Sequence, residues 1–487
     1  MIQISHLSFE YEGGLEPVFA DVNLSLDTDW RLGLVGRNGK GKTTLLRLLA
    51  GELPDGGSIS TNVMLDYFPF PVTHSDYLTE EVLDEAAPEV ERWRVEKELA
   101  ALELPSEVLY RPFSTLSNGE QTRCLLALLF SRPGRFLLID EPTNHLDMEG
   151  RDMVARYLRQ QKGFILVSHD RAFLDGCVDH ILSIERSCVG LQQGNFSSWW
   201  ENRQRQETFE LAENQKLQRE IGQLAAAQRR AAGWSDKTER SKFGQAVPDR
   251  GYIGHKSAKM MKRAKSIARR REAAVEQTAQ LLHNVEKTEL LELRPLFHPK
   301  QRLAELRQVS VDYGGGALFP PVSLTLERGD RVALTGRNGA GKSSLLKLLA
   351  GKDIPHTGQI GRAPGLVVSY VPQDASFLHG LPADYARSCG VDLTRFLQFL
   401  RKLDFPRELF DRDMATYSAG QKKKVLLARS LSESAHLYIW DEPLNYIDVF
   451  SRMQLEELLR GFPAALLLVE HDRRFLEGLD IRQVSLA

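Results

Sequence analysis

The chain has 487 residues, more than one hydrophobic core usually serves, so we expect two or three domains and exclude a single small module. Apolar residues make up 42% and charged residues 26% of the chain, which is typical of a folded protein and excludes a disordered or collagen-like one. Because 63 basic residues nearly balance 65 acidic ones, a nucleic-acid partner would have to bind a local basic patch.

Membrane insertion and export are not expected from the sequence. The longest apolar runs, such as residues 124–130 and 464–469, are far shorter than the roughly 20 residues that span a bilayer. The N-terminus lacks a basic stretch followed by an apolar one, so we expect a cytoplasmic protein. The cysteines form no C-x-x-C pair and are too few for a disulfide framework, so we expect reduced thiols and no zinc site. They are Cys124, Cys177, Cys188 and Cys389.

The chain repeats itself. GRNGKGKT at residues 36–43 recurs as GRNGAGKS 300 residues later, and LSNGEQ from Leu116 is matched by YSAGQ from Tyr417. FLLIDEP and LYIWDEP, then SHD and EHD, follow in the same order at offsets of 301 and 302 residues. Four ordered matches at a nearly constant offset predict a duplicated domain. We expect one copy at residues 1–198 and the other at 299–487, with 199–298 between them.

Short apolar runs precede the repeated segments, and helical patterns follow the glycine-rich ones, as at residues 44–50. This alternation predicts an α/β fold, with a mainly parallel sheet in each copy and the functional loops at the carboxyl ends of strands.

Both glycine-rich segments match the phosphate-binding pattern G-x-x-x-x-G-K-[ST] between an apolar strand and a helical run, which is the context it requires. Glycines let backbone N–H groups close on phosphate oxygens, and the helix N-terminus adds the positive end of its dipole. We expect Lys42 and Lys342 to reach the β- and γ-phosphates, and Thr43 and Ser343 to bind Mg²⁺. A glycine-rich turn without a ligand is the alternative.

An Asp-Glu pair follows an apolar strand in each copy, at Asp140 and Glu141 and at Asp441 and Glu442. The aspartate would hold Mg²⁺ directly or through water. The glutamate suits a general base or a water-orienting group for hydrolysis of the γ-phosphate. A helix cap or a solvated turn is the alternative, but the recurrence of the pair after each P-loop favours chemistry.

This ordered set resembles the motifs of ATP-binding cassette (ABC) ATPases in both copies: a Walker A loop, an LSGGQ-like signature, a Walker B strand ending in DEP, and a switch histidine. The resemblance implies two cassettes that sandwich two ATP molecules head to tail. The signature of the first copy would cover the ATP held by Lys342, and that of the second copy the ATP held by Lys42. The signature residues concerned are Ser117, Gly119, Ser418 and Gly420.

The same resemblance assigns further contacts to ATP. Tyr11 and Tyr313 stand where the family places an aromatic side chain on adenine, a buried core tyrosine being the alternative. His169 and His471 resemble the switch histidine that contacts the γ-phosphate. The remaining Walker A residues assigned to the nucleotide are Gly36, Asn38, Gly39, Gly41, Thr44, Gly336, Asn338, Gly339, Gly341 and Ser344.

One position departs from the family pattern. The second copy reads YVPQ and places Gln373 at the Q-loop glutamine, which the resemblance makes a ligand of Mg²⁺; the first copy reads YFPF and places Phe70 there. A phenyl ring cannot contact Mg²⁺ or the attacking water. We therefore expect two chemically unequal sites, neither of them dead, since both keep the glutamate and the histidine.

The basic charge is concentrated between the copies. Residues 201–300 carry 21 Lys or Arg against 13 Asp or Glu, and residues 250–271 hold nine basic residues and no acidic one, as expected for a surface that binds phosphate backbones. Apolar residues from Met261 to Val285 follow an alternating three-four spacing, which predicts two antiparallel helices packed along a seam. A solvated linker helix is the alternative.

Two fused cassettes joined by a long charged helical hairpin resemble the ABC-F family of translation factors. The stretch DRGYIGHKSAKMMKRAKSIARRRE and the second Walker B, WDEPLNYID, look most like its Lsa- and Vga-type antibiotic-resistance members. The resemblance implies that the ATP-bound form occupies the E site of the bacterial ribosome. Its hairpin would contact rRNA and the P-site tRNA and reach toward the peptidyl-transferase centre, where lincosamides, pleuromutilins and streptogramins A act.

Three alternatives stay open: a housekeeping ABC-F translation factor, the ATPase subunit of an ABC exporter, and a DNA-maintenance ATPase. The basic arm of about 100 residues argues against the exporter, which gains nothing obvious from it. Two intact cassettes argue against the DNA-maintenance ATPase, in which coiled coils usually split one cassette.

Overall fold

The computed structural model describes residues 1–11, 17–54, 56–144, 146–185, 188–213, 216, 219 and 293–486. The chain forms two units. One contains Met1–Trp199, called the first half below, together with Leu290–Ala487, the second half. The other is Trp200–Glu289, whose described residues are helical. The rest of the predicted hairpin, including its basic stretch and its seam, lies outside the described residues, and the predicted domain boundaries stay predictions.

Strands and helices alternate along both halves. The strands of the first half are β1 (Ile2–Phe9), β2 (Phe19–Leu26), β3 (Arg31–Gly36), β4 (Ser58–Thr61), β5 (Met64–Phe68), β6 (Arg135–Asp140), β7 (Phe164–Val167), β8 (His180–Glu185) and β9 (Cys188–Gln193). Its helices are α1 (Lys42–Leu49), α2 (Thr79–Ala86), α3 (Arg92–Ala101), α4 (Asn118–Ser131), α5 (Met148–Gln160) and α6 (Arg171–Cys177), with 3-10 turns at Ser106–Tyr110 and Phe113–Thr115.

The second half repeats this order. Its strands are β10 (Arg302–Val311), β11 (Val322–Glu327), β12 (Arg331–Thr335), β13 (His356–Arg362), β14 (Val368–Val371), β15 (Leu437–Asp441), β16 (Ala465–Val469) and β17 (Arg482–Ser485). Its helices are α7 (Lys342–Leu349), α8 (Pro382–Ser388), α9 (Leu393–Lys402), α10 (Ala419–Ser432), α11 (Val449–Arg460) and α12 (Arg473–Gly478), with 3-10 turns at Arg407–Leu409 and Met414–Thr416.

Each half has a small antiparallel sheet, β2-β1-β4 or β11-β10-β13, and a larger sheet. The larger sheets run β5-β6-β7-β3-β8-β9 and β14-β15-β16-β12-β17, and their strands are parallel except for the β8–β9 pair. The Walker A strand thus has the same two neighbours in both halves. This topology confirms the predicted α/β class.

The central strands read as continuous apolar runs because helices cover both faces of a parallel sheet. All four residues of β7 and all five of β16 are buried. Since the carboxyl ends of parallel strands meet at one edge, the loops after β3, β6 and β7, and after β12, β15 and β16, come together there. None of the helices in the described residues is long and apolar enough to cross a lipid bilayer.

The two halves pack directly against each other. Arg171 Nη2 in the first half donates to Glu456 Oε2 in the second at 2.7 Å, and both side chains are largely buried. Arg37 Nη1 lies 2.5 Å from Asp404 Oδ1 at another point of the interface. Loops at the functional edge of one half therefore face the other half.

Candidate ATP sites

The Walker A loops wrap around their own lysines. Lys42 Nζ donates to the carbonyl oxygens of Gly36 and Arg37 at 2.8 and 3.2 Å, and Lys342 Nζ makes the two equivalent bonds at 2.6 and 2.9 Å. Both lysines are buried, and burial lowers the pKa of each ammonium group. A buried ammonium group whose partners are neutral carbonyl oxygens is stabilised further when it binds a phosphate anion, because a charge-assisted hydrogen bond is stronger.

Two positions in these loops accept only glycine. Gly41 and Gly341 precede the first residues of α1 and α7 and have φ angles of 96° and 80°, a left-handed conformation that other residues rarely adopt. A Cβ atom on Gly41 would lie 2.5 Å from Val18 Cγ1, and one on Gly341 would lie 2.8 Å from the ring of Phe319. The chain can therefore turn into the helix with its N–H groups free to face a phosphate.

A hydroxyl and a carboxylate meet at the base of each loop. Thr43 Oγ1 donates to Asp140 Oδ2 at 2.7 Å, and Ser343 Oγ donates to Asp441 Oδ1 at 3.0 Å. Asp441 Oδ2 is buried without a hydrogen-bond partner among the described residues, and burial raises the pKa of this carboxyl to about 6. Mg²⁺ prefers oxygen ligands of this kind, so the residues fit the ion. When bound, Mg²⁺ would neutralise charge that develops on the phosphates.

One cavity of about 1130 Å³ is lined by both halves. The second half contributes its Walker A loop, the Q-loop glutamine, the Walker B glutamate and the switch histidine; the first half contributes its signature segment. The predicted site residues that line it are Ser117, Gly119, Asn338, Gly339, Gly341, Lys342, Ser343, Ser344, Gln373, Glu442 and His471. The structure thus brings together most of the residues that the sequence assigns to the ATP at Lys342, although Tyr313, Gly336 and Asp441 do not line the cavity. The roles of all of them in binding stay predictions.

The signature segment presents a helix N-terminus to this cavity. Ser117 caps α4: its Oγ accepts the N–H of Glu120 at 3.3 Å, and the Glu120 carboxylate accepts the N–H of Ser117 at 2.8 Å. Ser418 and Gln421 cap α10 in the same reciprocal way. The N–H groups of the first turn lie at the positive end of the helix dipole, where an anion is stabilised.

The Walker A loop of the first half and the signature segment of the second half are in direct contact. Asn38 Nδ2 of the first Walker A loop donates to the carbonyl oxygen of Tyr446 in the second half at 3.0 Å. A Cβ atom on Gly420 would lie 2.3 Å from that same oxygen and 3.3 Å from Asn38 Nδ2. The Walker A loop of the first half therefore packs on the signature segment of the second, and Gly420 leaves room for this approach.

The two Walker B glutamates have different surroundings. Glu442 Oε2 accepts hydrogen bonds from Gln373 Nε2 at 2.8 Å and from Asn445 Nδ2 at 2.5 Å. In the first half, Phe70 offers no donor at the position of Gln373, and its ring contacts Phe68 instead. Glu141 Oε1 lies 3.1 Å from His169 Nε2, and both of its carboxylate oxygens are buried. Gln373 thus contacts the glutamate, and its predicted contact with Mg²⁺ stays a prediction.

Burial and the neighbouring Asp140 carboxylate raise the pKa of Glu141 to about 8. Burial lowers the pKa of His471 to about 3, with Arg151 and Lys342 acting in the same direction, and burial lowers the pKa of His169 well below its usual value. Both histidines are therefore neutral at pH 7. A neutral imidazole can donate from one ring nitrogen and accept at the other.

The tyrosines assigned to adenine lie beside their Walker A helices. Tyr11 Oη and Thr44 Oγ1 are 2.9 Å apart, and Tyr313 Oη and Ser344 Oγ are 3.0 Å apart. Both rings are about half exposed, at 47% and 59%. They are thus not core tyrosines, and stacking on adenine stays a prediction.

The family assignment follows from comparison with known proteins. The ABC transporter family model matches residues 19–144 and 319–445, which is more than half of the chain. Similar proteins include the ribosome protection protein VmlR of Bacillus subtilis, 28% identical over 98% of this chain and 85% of that protein, and the ATP-binding protein Uup of Caulobacter vibrioides, 30% identical over 97% and 75%. Both, like the energy-dependent translational throttle protein EttA, are ABC-F proteins. This chain belongs to the ABC-F family.

Two further similarities agree with this assignment. EttA of Mycobacterium tuberculosis is 27% identical over 95% of this chain and 88% of that protein. A solved structure of the archaeal ribosome recycling factor aABCE1 with the stalk protein aP1 superposes with a TM-score of 0.64 over 99% of this chain and 87% of that one. At 21% identity the latter supports the fold alone. The recognition of tandem ABC-F cassettes from the sequence motifs is therefore confirmed.

Sequence reasoning missed several buried charges around the ATP sites of this ABC-F protein. Lys423 and Lys424 lie in the signature helix, Asp448 follows the second Walker B motif, and Glu470 precedes the switch histidine. Burial lowers the pKa of Lys423 to about 8. Alignment of the two copies at their fixed offset could have found these positions, because it pairs Lys423 with Thr122 and Glu470 with Ser168.

We predict that Glu442→Gln alone lowers steady-state ATPase activity more than Glu141→Gln alone. At pH 7 only about one tenth of a carboxyl with a pKa near 8 is ionised and able to accept a proton. The site at Lys42 should therefore be the slower one, by roughly tenfold. In Glu442→Gln, the residual activity should rise as pH increases through about 8, because Glu141 then loses its proton. Initial rates of phosphate release between pH 6.5 and 9 measure both effects, and equal losses in the two variants would contradict the inequality.

A second prediction concerns stability at acid pH. The unfolded chain binds a proton at His471 near pH 6.5, whereas the folded chain does not until about pH 3, so this residue makes the free energy of unfolding fall as pH decreases through that window. When the pH falls from 7.5 to 5.5, the free energy of unfolding of His471→Gln should therefore decrease by about 1.4 kcal/mol less than that of wild type. Glu141, whose pKa is raised by folding, makes the free energy of unfolding rise as pH decreases. Because this contribution is the same in both proteins, the difference between variant and wild type in urea titrations isolates the effect of His471.

The exposed His379, substituted in the same way, serves as the control for this measurement. The stability of His379→Gln should follow that of wild type across the pH range. An identical pH dependence for His471→Gln and wild type would show that His471 is protonated in the folded protein as well.

Proposed function

We propose that this ABC-F protein hydrolyses ATP at two composite sites, one built on Lys42 and one on Lys342. The observation that carries the proposal is the cavity in which the signature of the first half faces the Walker A loop, Glu442 and His471 of the second. This arrangement fits ATP bound between the halves, held by groups that neither half supplies alone. Closing the halves on ATP would exclude water from the γ-phosphate.

Each residue has a defined part in this reaction. The ammonium group of Lys342 leaves its carbonyl partners for phosphate oxygens, and the N–H groups of the Walker A loop bind the remaining phosphate charge. Glu442, oriented by Gln373 and Asn445, accepts a proton from the attacking water. Neutral His471 donates a hydrogen bond to the γ-phosphate, which stabilises the charge that develops there.

We propose further that ATP binding drives association with the E site of the bacterial ribosome, and that the segment 199–298 contacts rRNA and the P-site tRNA. The basic residues of this segment support the proposal, because phosphate contacts dominate affinity for nucleic acids. The names of two relatives, a ribosome protection protein and a translational throttle protein, point the same way. In this role the protein would relieve antibiotics at the peptidyl-transferase centre.

Drug susceptibility tests this proposal. Expression of the wild-type protein should raise resistance to at least one of the lincosamides, pleuromutilins and group A streptogramins relative to an empty vector. Deletion of Lys242 to Arg250 should spare basal ATPase activity, because the cassette motifs lie outside it, and should abolish the protection. Minimum inhibitory concentrations for vector, wild type and deletion measure the effect.

A different outcome would identify a different function. Unchanged susceptibility to all three drug classes, together with ATP-dependent binding to ribosomes, would favour a housekeeping ABC-F translation factor. Co-sedimentation with membranes in place of ribosomes would favour the ATPase subunit of an exporter.

A further inference from the structure

Lys423 is a buried lysine in the signature helix of the second half. Only 2% of the residue is exposed, and its Nζ donates to three carbonyl oxygens: Pro372 at 2.9 Å, Gln373 at 3.2 Å and Asp441 at 3.0 Å. The first two belong to the Q-loop and the third ends the Walker B strand. One ammonium group thus ties α10 to both elements, and all three of its donors are used.

Among the described residues of the first half, the matched position of the signature helix makes no equivalent link. Thr122 occupies the corresponding position of α4, and its hydroxyl donates to the carbonyl oxygen of Asn118 in the same helix at 2.9 Å. A bond within a helix cannot transmit a displacement to another element. The two halves therefore differ in how firmly the signature helix is joined to the Q-loop and Walker B strand.

The elements joined by Lys423 reach both ATP sites, and Lys423 itself is among the residues that line the cavity at Lys342. The N-terminus of α10 packs against the Walker A loop of the first half, where Gly420 meets Asn38. Gln373 and Asp441 belong to the site around Lys342, which the first turn of α10 also borders. We propose that Lys423 is a positioning residue that couples the two ATP sites. Ordering of the Q-loop and Walker B strand by ATP at Lys342 fixes the signature helix that completes the site at Lys42.

This proposal rests on the proposed function, because it requires two bound ATP molecules. Coupling of binding is reciprocal, so one number describes the effect of each site on the other. The position of Lys423 predicts that this number depends on the second half and not on Thr122 of the first.

A second buried charge accompanies the lysine. Glu470 is 2% exposed, and its carboxylate accepts the N–H groups of His471 at 2.7 Å, of Asp472 at 3.2 Å and of Leu444 at 3.2 Å. In the first half Ser168 takes this place, beside Thr143. The two hydroxyl positions of the first half are thus a lysine and a glutamate in the second. Exchanging both together keeps the formal net charge of the chain.

The coupling can be measured in the full-length chain with hydrolysis blocked by Glu141→Gln and Glu442→Gln. Equilibrium dialysis with radiolabelled ATP and Mg²⁺ gives the dissociation constant at the Lys42 site, with the other site intact or disabled by Lys342→Ala. We expect the intact second site to tighten binding about tenfold. Lys423→Thr and Lys423→Met should reduce this factor to below about twofold, and Lys423→Arg, which keeps charge and donors, should retain most of it.

Two further variants separate coupling from folding. Thr122→Val, at the matched position of the first half, should leave the factor unchanged. Lys423→Thr with Glu470→Ser installs the residues of the first half at both positions. It should fold, because Thr122 and Ser168 are hydrogen-bonded at these positions in the first half, and it should be as uncoupled as Lys423→Thr. A purely structural role would lower the unfolding temperature and weaken both sites alike, without changing the ratio of dissociation constants.

Three results would refute the coupling: an unchanged factor in both Lys423→Thr and the charge-exchange variant, an equal loss in Thr122→Val, or two ATP molecules bound without cooperativity in the parent protein. Failure of the parent to bind two ATP molecules would instead refute the proposed function. The two failures are therefore distinguishable in one experiment.

Discussion

Replacing both Walker B glutamates, Glu141→Gln with Glu442→Gln, is expected to lower ATP turnover at least about 100-fold and to leave ATP binding intact. The amide keeps the volume of the carboxyl but cannot accept a proton from water. At position 442 its oxygen can still accept from Gln373 and Asn445, and at position 141 it removes a buried ionisable group, so the fold should be preserved. Without hydrolysis the closed halves cannot reopen, so the protein should remain on ribosomes.

Phosphate release, ATP binding and co-sedimentation with 70S ribosomes measure the three parts of this expectation. Glu96→Gln with Glu327→Gln, two carboxylates that belong to none of the nucleotide-binding motifs, is the matched control and should behave as wild type. Normal turnover in the Walker B double variant would remove the base role from both glutamates. Blocked turnover without retention on ribosomes would leave that role intact and contradict the proposed partner.

The phosphate-binding parts of the fold could be predicted because their pattern is local. Gly41 adopts a left-handed conformation directly before α1, and the motif requires glycine at this position of a short run of consecutive residues. The α/β class could be predicted, but the order of the strands in each sheet could not, since strand neighbours are set by packing between segments that are far apart in the chain. The pairing of each signature with the opposite Walker A loop came from family resemblance, because no pattern within one copy specifies what lies across an interface.

The inequality of the two sites was visible at Phe70, but its electrostatic consequence was not. The raised pKa of Glu141 depends on how deeply its oxygens are buried and on the nearby Asp140, and neither follows from residue spacing. The inward orientation of the Lys423 side chain could not be predicted from the sequence either. A lysine run in a helix is usually a solvated surface, and only the packed structure shows that the middle lysine turns inward onto three carbonyl oxygens.

The neighbouring Lys424 leads to the second prediction of a large effect, in this case on stability. Lys424 Nζ lies 3.0 Å from Asp448 Oδ2, and the side chains are 4% and 0% exposed. Burial alone would raise the pKa of Asp448, but Lys424 and the N–H of Ser451 hold it below its usual value. The carboxylate is therefore charged at neutral pH and depends on its partner.

Lys424→Met should lower the free energy of unfolding by about 3 to 5 kcal/mol, because it leaves a buried carboxylate without its cation. Arg123→Met is the matched control, since Arg123 occupies the same position in the first half and donates to backbone oxygens of Gly119 and Leu102; its loss should be nearer 1 kcal/mol. Urea unfolding at pH 7.5 compares the two.

Adding Asp448→Asn to Lys424→Met distinguishes an unpaired charge from a lost packing contact. The amide oxygen can still accept the N–H of Ser451, which caps α11, but carries no charge that needs a cation. The double variant should therefore be more stable than Lys424→Met alone, although it has one more substitution in the core. If it is less stable, the cost of Lys424→Met comes from lost packing of the lysine stem, and the buried pair contributes little electrostatic stabilisation to the second half.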